Sequence, residues 1–395
     1  MAWKTLTSIA ASIKPLLKGK DDRFLVLEIL EHKVKGAVIH ADFSGKKIQV
    51  TRVRSHPDLK KLVKKFGRLG RYKIVVGLDS HLASTIYSSI VIPREQHKTL
   101  IDEPELDNLL SQAIWKFFDR SRNKVAGKIG VADLDIMLTD VRIRGIKLDG
   151  HKVVNPLGFN AKTVEVQFSQ TFLSRGLIDS LKEVLPLNQV VLMSENGTAW
   201  SSVIGKADSA IKNFLLANIS PSRTQVFFSD GSQNAYHDHF LWGEQSLNQA
   251  IADELGVEVE TAGLILSKYV RVDASPTFRH RMEVMVAREL SVLAKGLDQA
   301  VRKTDTRTIY LNPSFRLPDM FANGFRNQFG RSVVIQPLTL DLISQKFGFD
   351  IKFKNSADAA DSFSLLATLV EWYLAPQDDK MSQLAKRRVR WLSPV

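Results

Sequence analysis

Residues able to do chemistry are few in this chain, and they are scattered. His237 and His239 flank Asp238 in Tyr236-His237-Asp238-His239. Two apart on a strand, the imidazoles would share one face and could ligate a divalent metal. No third ligand stands at metal spacing nearby, so an exposed hairpin is the plainer reading. Ser229-Asp230-Gly231-Ser232 offers backbone N–H groups around a glycine, which could cradle an anion or form a simple Asp-Gly turn. His280 lies between Arg279 and Arg281, where a solvated basic helix face accounts for it. Glu195-Asn196-Gly197-Thr198 follows an apolar run and reads as a turn, with a contact between two parts of the fold as the alternative. No Ser/His/Asp spacing matches a nucleophile motif. With no cysteine, thiol catalysis, disulfides and cysteine-held metals are excluded.

The scaffold for these residues has 395 positions, enough for two or more lobes with their own cores. The formal net charge of +13 suits an anionic partner: nucleic acid, a membrane surface or an acidic protein segment. The basic residues lack interleaved aromatics, which makes nucleic acid the weakest of the three. No run of eighteen apolar residues occurs, so no membrane-spanning helix is expected. The N-terminus lacks a signal-peptide core, and a cytoplasmic protein is the expectation.

Apolar patterning places the elements. Residues 24–30 read as a buried strand, followed by strands at 34–39 and 47–53. A basic helix at 58–69 has Leu59, Leu62, Val63 and Phe66 on its apolar side, and 74–78 is another buried strand. A strand and hairpin at 80–92, a helix at 103–118 and alternation at 133–147 lead into a compact unit ending near Phe172. A helix at 174–185, a strand at 189–193 and a short helix at 206–218 follow. Val226-Phe227-Phe228 opens a second lobe. It has helices at 245–255, 259–269, 276–302 and 318–329 and strands at 308–311 and 333–335. A helix at 356–374 packs back on the first lobe. No internal repeat is visible at the residue level.

Within the compact unit, Leu148-Asp149-Gly150 leads to Asn155-Pro156-Leu157-Gly158, then to alternating Val164, Val166 and Phe168. The pattern is a strand, a hairpin and a returning strand. It resembles the inserted domain of FtsA, the actin-like bacterial protein that tethers FtsZ filaments to the membrane at division. Val75-Val76-Gly77-Leu78-Asp79-Ser80-His81-Leu82 is similar to that family's strand-to-Gly-hydrophobic-Ser-Gly-x-His segment, with Asp79 and Ser80 departing from it. Gly243, Leu247, Ile251 and Leu255 resemble the start of its second-lobe helix. PilM, a pilus-assembly protein, shares the fold. The resemblance implies an α/β protein with an actin-like (ribonuclease H-like) two-lobe fold, a small FtsA-type α+β inserted domain and amphipathic termini. The expected partition is an N-terminal helix at 1–20, the first lobe at 22–78 and 173–222, and the insert at 79–172. The second lobe takes 223–355, a returning helix 356–375 and a basic tail 376–395.

Members of this family hold ATP and Mg²⁺ between the lobes on glycine-rich hairpins that bring backbone close to phosphate. The resemblance puts the remnant nucleotide-binding positions at Glu28, Lys33, Asp230, Gly231 and Ser314. The first loop reads Glu28-Ile29-Leu30-Glu31-His32-Lys33-Val34 where the family has Asp-Ile-Gly-Thr-Ser-Lys-Val. Leu30 puts a branched side chain where backbone should meet phosphate, and Glu31 adds a negative charge. Like charges about 4 Å apart repel by about 4 kcal/mol at an effective dielectric of about 20, roughly a thousandfold in affinity. Ala262-Gly263-Leu264-Ile265-Leu266 lacks the family's sugar-binding Glu and Lys, and Leu311-Asn312-Pro313-Ser314 replaces its Thr-Gly-Gly-Gly. The expectation is weak or no ATP binding and no catalytic or metal-ligating residue. No cofactor is expected; ATP and Mg²⁺ are admitted by the resemblance alone.

Both ends carry amphipathic patterns. Trp3, Leu6, Ile9, Ile13, Leu16 and Leu17 share one helical face, with Lys4, Lys14 and Lys18 elsewhere. Leu384, Trp391 and Leu392 lie on an apolar arc, with Lys386, Arg387 and Arg390 facing away. Such helices lie in a membrane interface; a docked helix and a plain basic tail are the alternatives. The function expected is an FtsA-like scaffold, peripheral on the inner face of the cytoplasmic membrane. It would recruit an FtsZ-like protein or a cytoplasmic segment of a membrane protein, with self-association into protofilaments open. A PilM-like adaptor for a pilus or secretion peptide and an ATPase with divergent loops are the alternative functions.

Overall fold

A computed structural model of the chain describes residues 22–207, 211, 213–230, 234–270, 275–315, 317, 329, 332–355 and 358–374. The membrane-facing residues expected at 3–17 and 384–392, Gly231 and most of the helix expected at 318–329 lie outside the described residues.

Strand β1 (Asp22–Ile29) is buried from Leu25's neighbours through Ile29, because a continuous apolar run can be covered on both faces. It pairs antiparallel with β2 (Val34–Asp42), which pairs antiparallel with β3 (Lys47–His56). Helix α1 (Leu59–Lys64) starts at Asp58, whose carboxylate accepts from the Lys61 amide. Strand β4 (Lys73–Leu78) returns parallel to β1. Then come β5 (Ala83–Pro93), α2 (Glu103–Ile129), β6 (Ile136–Leu148), β7 (His151–Val153) and β8 (Thr163–Ser174). They form a separate four-stranded sheet, ordered β5-β8-β6-β7, with its own apolar core against α2. Helix α2 reaches 27 residues, well past the expected end at 118, and stops where Gly130 takes a left-handed conformation.

The Leu148-Asp149-Gly150 turn has a structural reason. Asp149 and Gly150 both have positive φ, the geometry of a tight β6–β7 hairpin. The Asp149 carboxylate accepts from the amides of Lys162 and Thr163 at 2.9 and 2.8 Å, so it also fixes the start of β8. Those backbone bonds hold its carboxyl below the usual aspartate range.

After α3 (Arg175–Lys182), β9 (Val190–Glu195) pairs parallel with β4, and with β15 (Asp350–Phe353) at the far edge the first sheet has the order β15-β3-β2-β1-β4-β9. Helix α4 (Asn196–Ala207) follows at once. The second sheet contains β10 (Phe214–Ile219), β11 (Thr224–Ser229), β12 (Asn234–Phe240), β13 (Thr308–Pro313) and β14 (Val334–Pro337), in the order β12-β11-β10-β13-β14. Helices α5 (Glu244–Leu255), α6 (Val259–Val270) and α7 (Pro276–Thr304) lie in the connection between β12 and β13. Helix α8 (Leu340–Phe347) leads to β15 (Asp350–Phe353), which pairs with β3, and α9 (Asp358–Leu374) ends the described chain.

The second sheet repeats the first: a central strand, an antiparallel meander on one side and parallel strands on the other. Helices α4 and α9 lie between the two sheets. One apolar core joins Phe24, Val26 and Val75 of the first sheet to Phe214, Leu216 and Phe227 of the second through Trp200 and Leu366.

Three expectations are corrected. The helix expected at 206–218 is the end of α4 followed by β10, the central strand of the second sheet. Ile211, Phe214, Leu215 and Asn218 have helical spacing, and a short buried strand cannot be told from a helix by periodicity. The turn expected at Glu195–Thr198 is the β9–α4 junction, and α4 is buried from Asn196 to Ile204. Residues 350–353, counted in the second lobe by the expected partition, form β15, which pairs in the first sheet.

Candidate functional site

The cleft opens where β1 and β10 end. A cavity of about 270 Å³ is lined there by Glu28, Leu30, Lys35, Asp79 and Asn196 on one side and by Asn218, Ser220, Asn312, Pro313 and Ser314 on the other, with Phe363 and Ser364 of α9. The repeated topology explains the pairing of loops: the β1–β2 turn faces the β10–β11 turn, and the ends of β4 and β13 face each other.

Every carboxylate at this cleft is held by the protein. Glu28, 5% exposed, accepts from Asn196 Nδ2 at 3.2 Å and from Ser364 Oγ at 2.6 Å, with Lys35 Nζ 3.7 Å away. Glu31 crosses to the other lobe, accepting from Ser222 Oγ and from Arg223 Nη2 at 3.2 Å. Asp79, 1% exposed, accepts from Gln225 Nε2 at 2.7 Å and lies 3.1 Å from His81 Nδ1. Gln225 Oε1 accepts from Asn218 at 3.0 Å, and Asn218 Oδ1 accepts from Asn312 at 2.7 Å. A chain of amides thus runs across the floor of the cleft into Asp79.

Burial pushes the Asp79 carboxyl up, but His81 and Gln225 outweigh it and hold the group below its usual value. A depressed folded-state pKa adds stability that is complete above the unfolded value near 4 and is lost as pH falls through the folded one. Asp79→Asn is therefore expected to lower the urea midpoint at neutral pH, with the gap to wild type closing as pH falls below about 4. A gap that stays constant down to acid pH would contradict this role.

The other candidate residues are dispersed. Lys33 stands in the β1–β2 turn outside the cavity lining; burial raises the Glu244 carboxyl at the start of α5, and Lys33 opposes that rise. Ser314 lines the cleft, and its Oγ and Asn196 Oδ1 are buried with no hydrogen-bond partner among the described residues. Asp230 is exposed just past β11 and does not line the cavity. The second-sheet turn that does line it is the β10–β11 turn at Ser220, a strand earlier than the Ser229–Asp230 turn. His239 shares a 2.7 Å hydrogen bond with Tyr236, and no three His, Cys, Asp or Glu side chains gather as a metal site among the described residues. His280 is largely exposed, 3.8 Å from Glu283.

Sequence reasoning missed a second buried junction. Lys128 of α2 places Nζ 2.5 Å from Glu195 Oε1, 3.2 Å from Ser84 Oγ and 4.1 Å from the Tyr236 ring centre. Glu195 Oε2 accepts from the Thr85 amide at 2.8 Å and from Thr198 Oγ1 at 3.1 Å. Burial lowers the Lys128 pKa, opposed by Glu195; burial and then the Glu195 charge raise that of Tyr236. The four-stranded unit, the first sheet and the second sheet meet at this one ion pair. The only signal in the sequence was a Glu at the end of an apolar strand, which does not reveal its distant lysine.

Two lobes of repeated topology around a cleft, with a small α+β unit inserted in the first, define the actin-like fold. The chain has that fold. It is similar to a solved PilM–PilN type IV pilus biogenesis complex, with a TM-score of 0.57 and 13% identity over 89% of this chain and 99% of that one. It also matches the ethanolamine utilization protein EutJ from Carboxydothermus hydrogenoformans, with a TM-score of 0.41 and 12% identity over 84% and 89% of the two chains. The cytoplasmic domain of EpsL, an inner membrane component of the type II secretion system of Vibrio cholerae, gives 0.35 and 13% over 82% and 94%. No protein-family model and no curated protein matches the sequence. No described helix is long and apolar enough to cross a membrane.

Proposed function

We propose that the chain is a non-catalytic, membrane-associated adaptor of actin-like fold that holds a cytoplasmic segment of a membrane-bound assembly protein. The carrying observation is the self-engaged cleft: Glu28, Glu31 and Asp79 are each bound by side chains of the chain itself. A triphosphate would have to displace Leu30 and break the contacts of Glu31 with Ser222 and Arg223, beside three carboxylates. The fold-level likeness to a PilM–PilN assembly supports an adaptor over an enzyme. The inserted unit supports the peptide role. It presents the edge strand β5, a hollow of about 340 Å³ between the end of β5 and Gln112 and Lys116 of α2, and Trp115 at 55% exposure. Recruitment of FtsZ is the division form of the same reading.

Two buried polar atoms with no hydrogen-bond partner among the described residues, Asn196 Oδ1 and Ser314 Oγ, favour a second reading in which the cavity takes a small polar ligand. At about 270 Å³ it is below the usual range for a nucleotide-sized pocket. Millimolar Mg·ATP is expected to shift Tm by less than about 1 °C. Micromolar binding of a fluorescent ATP analogue would overturn the non-catalytic reading. Capture by immobilised cytoplasmic peptides of membrane-bound assembly proteins, weakened by Trp115→Ala, tests the adaptor role; equal capture by both proteins would remove the insert from it.

A further inference from the structure

We infer that the outer edge of β5, between Thr85 and Pro93, takes an acidic extended segment of the partner as an added strand; this rests on the peptide-holding role proposed above. Strand β5 lies at the edge of the inserted sheet. Its register with β8 runs unbroken from Ala83 to Pro93. The Thr85 N–H turns away from β8, since it donates to Glu195 Oε2 at 2.8 Å. Backbone groups alternate in direction along a strand, so the N–H and C=O of Ser89 and Val91 point outward too. They have no backbone partner on that side among the described residues. None of the 11 residues of β5 is charged, and Val91 is 52% exposed. An open edge is a template for pairing, and proteins ordinarily guard one with charge on the strand itself. Here only Pro93, which lacks an N–H, closes one end.

The charge stands beside the edge instead. Helix α2 carries Lys116, Arg120, Lys124 and Lys128 at four-residue steps, which sets them in one row along its surface. Both ends of the row are fixed against β5. Lys116 lines the hollow of about 340 Å³ together with Ile92, Pro93 and Gln112. Lys128 Nζ lies 3.4 Å from the Ala83 carbonyl oxygen and 3.2 Å from Ser84 Oγ. Arg120 and Lys124 therefore flank the stretch between, where Ser89 and Val91 turn their backbone groups outward. Lys128 is neutralised by Glu195. Lys116, Arg120 and Lys124 are exposed, with no ion-pair or hydrogen-bond partner among the described residues. Like charges one helical turn apart weaken a helix, so folding alone does not favour the row. Of the carboxylates nearby, Glu95 lies beyond Pro93, and Asp119 stands about 100° round the helix from Arg120.

Charge selects the occupant. A strand laid along Ser89 and Val91 turns alternate side chains toward α2, where acidic groups would meet three exposed cations. A second copy of the chain would offer an uncharged strand and bring its own basic row against the first, which is repulsive. Nucleic acid has no backbone N–H and C=O groups to pair with the edge.

The test is fluorescence anisotropy of the full chain with three labelled probes. They are a peptide of four Glu-Val repeats, a peptide of four Lys-Val repeats, and the Glu-Val peptide with its backbone amides N-methylated. The Glu-Val probe is expected to bind and the Lys-Val probe not. N-methylation keeps the charge and removes the strand hydrogen bonds, and should weaken binding by about tenfold or more. A variant carrying Lys116→Gln, Arg120→Gln and Lys124→Gln should also lose about tenfold, with the difference shrinking at high salt. It should melt no lower than wild type, because the substitutions relieve like-charge pairs. Equal binding of the plain and N-methylated probes would overturn strand addition, and equal binding by variant and wild type would overturn the role of the α2 row. No binding of the Glu-Val probe, with capture of assembly-protein peptides intact, would overturn this inference and leave the adaptor reading standing. Row-dependent binding of the Glu-Val probe with no such capture would overturn the adaptor reading and leave the edge site standing.

Discussion

Lys128→Met is expected to destabilise the protein by about 3–5 kcal/mol, because it leaves the Glu195 carboxylate uncompensated in the interior. Glu195 is fully buried, and Lys128 is its only ion-pair partner among the described residues. The carboxylate cannot simply be removed as well, since Oε2 accepts from the buried Thr85 amide at 2.8 Å. The informative double variant is Lys128→Met with Glu195→Gln. Glutamine keeps an acceptor for Thr85, and its amide group can donate toward Ser84 Oγ and the Ala83 carbonyl, now 3.2 and 3.4 Å from Nζ. Urea denaturation should place the double variant within about 2 kcal/mol of wild type, well above the single one. A single variant within about 1 kcal/mol of wild type would show that the junction is solvated. Because Tyr236 of β12 lies over Lys128, loss of the pair should also loosen the insert relative to the second lobe, which proteolysis would register.

Gly197→Ala is expected to cost about 2–3 kcal/mol, although alanine is the better helix former by about 1 kcal/mol. Steric overlap decides the sign. A Cβ at position 197 would stand 2.0, 2.2 and 2.6 Å from three atoms of the Phe227 ring. Phe227 is fully buried in the core between the sheets and packs edge-on against Tyr236 at 5.7 Å, so it has no free space to enter. Gly197→Ala combined with Phe227→Leu should recover part of the loss, and the two changes should be strongly non-additive in denaturation midpoints. Additive losses would mean that α4 does not contact β11 closely, and the account of the shared core would fail with it.

Much of the first lobe was legible in the sequence. Residues 24–78 keep alternation or short buried runs, with turn residues between, so periodicity and turns point one way. The Leu148–Gly158 turns were legible too, since positive φ at Asp149 and Gly150 leaves a visible residue signature. Strand β10 was not, because its flanking residues also fit a helical period, which hides the β10–β11 turn that lines the cleft. Helix α4 was hidden for the opposite reason: it is buried on every side and has no polar face to give a period.

By itself the sequence determined composition, charge sign, most elements and the lack of glycine in residues 28–34. Each of these depends on residues near one another in the chain. Only the tertiary structure decided that Glu31 meets Arg223, that Asp79 meets Gln225 and that Glu195 meets Lys128. These pairs are separated by 67 to 192 residues, and no local pattern records a partner at that distance. The repeated strand order of the two sheets was likewise invisible, because topology can recur where side chains do not. It brings the β1–β2 and β10–β11 turns face to face, and the side chains those turns carry close the cleft on themselves.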